Sequence, residues 1–66
     1  MKVGDLVSFD VYQPSSSIFM TTHKGLIIKE IPPNPYRQEP LFNVFSTSGV
    51  LFEYIARTSI RVLRPA

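Results

Sequence analysis

Val3-Gly4-Asp5-Leu6-Val7-Ser8-Phe9-Asp10-Val11-Tyr12 sets Val3, Val7, Phe9 and Val11 on odd positions, with Ser8 and Asp10 between the last three. A period of two is the signature of a half-buried β-strand, so a strand is expected over 3–12. Immediately outward, Gln13-Pro14-Ser15-Ser16-Ser17 carries turn formers and no core residue, and Ile18-Phe19-Met20 returns apolar surface before Thr21-Thr22. The segment 13–22 therefore reads as a long, folded-back loop. Gly25-Leu26-Ile27-Ile28-Lys29-Glu30-Ile31 is a short, β-branched run, which favours a second strand buried on much of both faces over a helix.

Pro32, Pro33, Pro35 and Pro40 crowd four of the six prolines into nine positions. Their missing N–H groups forbid a central strand, so this stretch is a loop. Leu41 to Thr47 and Val50 to Ile55 flank Ser48-Gly49, and a glycine free to take positive φ between two aromatic-rich runs signals a hairpin. Ala56-Arg57-Thr58-Ser59 suits one 3₁₀ turn, and Ile60-Arg61-Val62-Leu63 a last short strand stopped by Pro65. Five short strands without a repeat point to one all-β domain over 1–66. A sheet this small avoids bare edges by curling and closing, so a small antiparallel barrel is expected. Its core is assigned to Val7, Phe9, Leu26, Ile28, Phe42, Val44, Leu51, Ile60 and Leu63.

The order of these pieces is that of Val3-Gly4-Asp5-Leu6-Val7, a long loop, Gly25-Leu26-Ile27-Ile28, a proline-rich loop, Phe42 to Gly49, a fourth strand, one turn and Ile60 to Leu63. It resembles an SH3-like barrel, and more narrowly the small barrels common in tailed bacteriophages and marine metagenomes. The resemblance spans nearly the whole chain, but the matching residues are structural and fold does not imply function. Phe45 stands where such barrels often carry tryptophan, so a ligand site borne by that tryptophan does not carry over.

With 66 residues, the chain is too short for a multidomain enzyme, and without cysteine it can form no disulfide or thiolate zinc site. A chain of this size folds alone only with a well-patterned core, or else gains stability by oligomerising. Apolar runs never exceed three residues, and no apolar stretch follows Lys2, so neither a membrane span nor a secretory leader is expected. The expected setting is cytoplasmic, or a virion if the resemblance to phage barrels holds.

Catalytic chemistry has little to work with. His23 is the single histidine and stands beside Lys24, where a solvated imidazole at a strand entrance is the plain reading. Asp5 and Asp10 differ by five positions, fall on opposite faces of a regular strand and cannot pair; Asp5 is better suited to accept turn hydrogen bonds. One histidine and five scattered acids offer no metal-ligand spacing, and three glycines form no phosphate loop. A non-enzymatic binding module without cofactor or metal is expected.

Two binding surfaces are candidates. In a barrel, the first long loop and the proline loop would flank a groove lined by Tyr12, Tyr36 and Tyr54, with an exposed apolar residue such as Phe19 beside it. Pro32-Pro33-Asn34-Pro35-Tyr36-Arg37 also fits the PxxPxR spacing by which a polyproline segment docks on an aromatic groove, here that of a second copy, although a stiff inter-strand turn explains it as well. These features point to a protein partner or to self-association. The alternative rests on charge: Arg57, Arg61 and Arg64 give the last ten residues +3, whereas residues 1–56 hold four bases and five acids. Such a cluster could contact nucleic-acid phosphates, with Tyr54 or Phe52 stacking on a base, or simply solubilise the last strand.

Overall fold

The computed structural model describes residues 1–12 and 20–66. It contains strands β1 (Leu6–Tyr12), β2 (Met20–Ile31), β3 (Leu41–Ser46), β4 (Leu51–Ala56) and β5 (Ile60–Arg64), with one 3₁₀ turn, Arg57–Ser59, before β5. All pairings are antiparallel, and the strands form one sheet in the order β4-β3-β2-β1-β5. The all-β class, the proline loop, the hairpin and the 3₁₀ turn agree with the reading of the sequence. Two boundaries move by more than one residue: β1 begins at Leu6 because Lys2 to Asp5 is a turn, and β2 begins at Met20, so three positions expected in a loop are strand.

β2 organises the sheet because its two halves have different neighbours. β1 pairs with residues from Met20 to Leu26, β3 pairs with residues from Gly25 to Ile31, and only Gly25 and Leu26 have partners on both sides. At that junction β3 passes very close. A Cβ on Gly25 would lie 2.8 Å from the Phe45 carbonyl carbon and 2.8 Å from the Ser46 Cα, so only glycine fits. Just beyond, the register slips between Ile27 and Lys29, leaving Ile28 as an extra residue that bends the strand.

The bend brings β4 over β1. Three strand spacings separate these strands in a flat sheet, about 14 Å. Here the Phe9 and Phe52 rings meet edge to face with centroids 5.1 Å apart. Val7, Phe9, Ile27, Phe42 and Val44 form the buried cluster, with Val11, Phe52, Ile55 and Ile60 packed against it.

This sheet is not a closed barrel, which corrects the expectation from sequence. β4 and β5 remain as two edges at opposite ends of the strand order. The core is covered by side chains reaching across the fold, above all Phe52, and hydrogen-bonded closure is not needed to bury it. The edges are managed locally instead. On β4, Glu53 and Tyr54 together oppose Asn43, Tyr54 has φ 62°, and its N–H is taken up by the Asn43 side chain at 3.1 Å. This bulge interrupts the edge as a template for another strand.

The core assignment is also corrected. Val7, Phe9, Phe42 and Val44 are buried and Ile60 is partly so, but Leu26, Ile28, Leu51 and Leu63 are about half exposed. In Leu26-Ile27-Ile28 the inward residue is Ile27. Three consecutive apolar side chains carry no alternation from which to choose a face, and only the pairing of Ile27 with Val44 does so.

Candidate functional site

Three of the four residues displaced from the core, Leu26, Ile28 and Leu51, gather with Phe45 on the other face of the sheet. Leu26 pairs with Phe45, and Phe45 pairs with Leu51, so three large apolar side chains stand side by side on β2, β3 and β4. They are 48%, 43% and 50% exposed. Ile28 extends the row along β2, while half-buried Leu6 on β1, opposite Leu26, extends it sideways. Leu26, Ile28 and Phe45 line a shallow hollow of about 350 Å³ that reaches Thr47 and Gly49 at the hairpin. The hairpin itself is held by Ser46, whose backbone N–H donates to the Val50 carbonyl at 2.8 Å and whose Oγ accepts from the Val50 N–H at 3.2 Å. Water against such a row is released when another apolar surface covers it.

Further along the same sheet lies a polar groove lined by Ser8, Asp10, Thr22, Thr58, Ser59 and Arg61. Thr22 Oγ1 donates to the Asp10 carboxylate at 2.7 Å. The groove joins one cation to one carboxylate and several hydroxyls. Its net charge is therefore balanced where a phosphate site would be positive.

The sequence-assigned residues are spread apart. Tyr12 ends β1 opposite Met20, at the first end of β2, whereas the loop bearing Pro35 and Tyr36 follows Ile31 at the other end. Tyr36 is 98% exposed, Tyr54 is exposed at the bulge of β4, and Phe19 lies outside the described residues. Arg57, Arg61 and Arg64 are all exposed. Phe52, named as a possible stacking partner for a base, packs inward on Phe9 and His23.

The proline loop is built as a rigid turn. Asn34 and Arg37 exchange backbone hydrogen bonds at 2.8 and 3.0 Å, and the Asn34 side-chain oxygen accepts from the N–H groups of Tyr36 and Arg37. Arg37 donates from Nε to the Glu39 carbonyl and from Nη2 to the Pro32 carbonyl, both at 2.9 Å. The cation of the PxxPxR spacing thus holds its own loop together.

His23 is also corrected. It lies within β2 directly opposite Phe9, its ring stacked at 5.7 Å on Phe9 and tilted at 4.8 Å against Phe52, and its Nε2 shares a 3.0 Å hydrogen bond with Thr21 Oγ1. It serves as a half-buried aromatic closing one end of the core. Asp5 behaves as expected: 3% exposed, its carboxylate accepts from the Ala66 N–H at 2.8 Å and the Lys2 N–H at 2.9 Å. These two bonds, Ala66 first, hold its pKa below the ordinary value of 3.8 against the opposing effect of burial. Asp10 points outward, so the two carboxylates do not pair.

Among the described residues, no three His, Cys, Asp or Glu side chains gather as metal ligands, and no helix is long and apolar enough to cross a membrane.

Comparison with known proteins finds no matching family model, no matching curated protein and no matching solved structure. With the sheet open, the resemblance to SH3-like phage barrels is withdrawn on both sequence and architecture.

Proposed function

We propose that this chain is a non-enzymatic protein-interaction module whose docking surface is the outer apolar row of Leu26, Ile28, Phe45 and Leu51. The observation that carries the reading is the register. Leu26, Phe45 and Leu51 are neighbours across three adjacent strands and lie on the face opposite the core. Burial of Val7, Phe9, Ile27, Phe42 and Val44 accounts for the fold without them. A central aromatic flanked by aliphatic side chains and bordered by polar residues has the make-up of an interface anchor. The tyrosines and the proline loop, favoured from sequence, become secondary.

The alternative is nucleic acid on Arg57, Arg61 and Arg64. It has exposed guanidinium groups and the hydroxyl-lined groove in its support, but Asp10 shares that groove and Phe52 is turned inward. A photo-reactive phenylalanine analogue, placed in turn at positions 45 and 61 of the full chain in cells, separates the two. Protein adducts from position 45 are expected. Absence of protein adducts there, with nucleic-acid adducts from position 61, would overturn the reading in favour of the alternative.

A further inference from the structure

The apolar row carries a charge pattern that identifies its occupant. β2 and β4 both run antiparallel to β3, hence in the same direction. Lys24 lies two residues before Leu26 on β2, and Glu53 two residues after Leu51 on β4; both side chains are exposed, and both share the outward phase of their strand. With strands about 4.8 Å apart and two residues advancing about 6.6 Å, each lies roughly 8 Å from Phe45, on opposite sides of it. A cation and an anion thus occupy opposite corners of an apolar patch with an aromatic at its centre.

Resting on the reading that this row is a docking surface, we infer that its partner is a second copy of this chain, stacked face to face about a two-fold axis that runs through the Phe45 contact. A two-fold axis lying in the interface, along the diagonal that avoids both charges, superposes Lys24 of each copy on Glu53 of the other. It also brings Phe45 against Phe45, with the exposed bulge pair Ile28 and Lys29, which together oppose Asn43, close to the axis. An isologous interface requires such self-complementarity, and a patch bordered by one sign of charge would repel its own copy. From the same spacings, the strands of the two sheets cross at roughly 70°, near the orthogonal mode of sheet packing.

The edges favour this arrangement over strand addition. The Glu53–Tyr54 bulge interrupts β4, and pairing two copies along β5 would bring Arg61 and Arg64 of both chains together.

Sedimentation of the full chain over a tenfold concentration range tests the inference, beside Lys24→Glu, Glu53→Lys and the double variant, each checked for folding by circular dichroism. The wild type is expected at twice 7.5 kDa. Each single reversal sets two like-charge contacts in the interface and should weaken association about tenfold, and the double variant should recover it. Pro35→Ser combined with Tyr36→Ser is the control that leaves the mass unchanged. A concentration-independent monomer overturns the inference, as does a dimer indifferent to the single reversals. A monomer whose position 45 still cross-links to a different protein overturns only the second copy, whereas no protein adduct at position 45 removes the docking surface itself.

Discussion

The inner and outer faces of this sheet hold similar side chains under opposite circumstances. Phe42 and Val44 on β3 are sealed beneath β4 and β1, while Phe45, one residue further on, faces water. Likewise Ile27 is buried between exposed Leu26 and Ile28. Hydrophobic residues alone therefore do not define the core of a small sheet. The fold uses one apolar face for stability, and the other is left as a surface that something can cover.

The comparison is broken most directly by truncating one aromatic on each face. Phe42→Ala is expected to cost about 3–5 kcal/mol by leaving a cavity under the fold, enough to unfold most domains of this size. Phe45→Ala should change monomer stability by less than about 1 kcal/mol while abolishing association, as read by urea denaturation at low protein concentration. Equal costs on both faces would mean that the outer row is structural.

The junction where the faces are assigned gives the next largest effect. Gly25→Ala forces a methyl group into the β3 backbone at Phe45 and Ser46, and about 1–3 kcal/mol of destabilisation is expected, with slippage of the β2/β3 register visible in hydrogen exchange. A neutral outcome would show that β3 can retreat and that the bend does not depend on this contact.

A third effect belongs to neither face. Asp5 has a folded-state pKa below its ordinary value, so its stabilisation is complete above about pH 5 and is lost as pH falls through the lower folded value. The wild type should lose stability between about pH 5 and pH 2, and Asp5→Asn should flatten that dependence. An unchanged acid limb in the variant would transfer the effect to the other carboxylates.

What the sequence made legible depended on contrast between neighbours. Ser8 and Asp10 between Val7, Phe9 and Val11 declared the phase of β1, and the prolines and Gly49 declared the turns. Leu26-Ile27-Ile28 carries no contrast, so the phase of β2, and with it the outer apolar row, is not legible; the core expected from sequence includes the two exposed residues and omits the buried one. The half-buried setting of His23 is not legible in the sequence, because Lys24 beside it points to solvent while the aromatics that cover it come from β1 and β4, distant in the chain. Closure was expected from the general cost of bare edges. The sheet meets that cost with a bulge at Tyr54, which the sequence does not signal, because tyrosine is a strand former that rarely takes positive φ.

Asp5 gathers Lys2 and Ala66 at one corner, and Leu6 of β1 pairs there with Arg64 of β5. Because the two strands are antiparallel, tension applied between positions 2 and 66 does not slide β1 along β5. It first tears the two bonds at the Asp5 carboxylate and then peels the ladder open one rung at a time, in unzipping rather than shear. Mechanically, this is a chain that yields at low force from its ends.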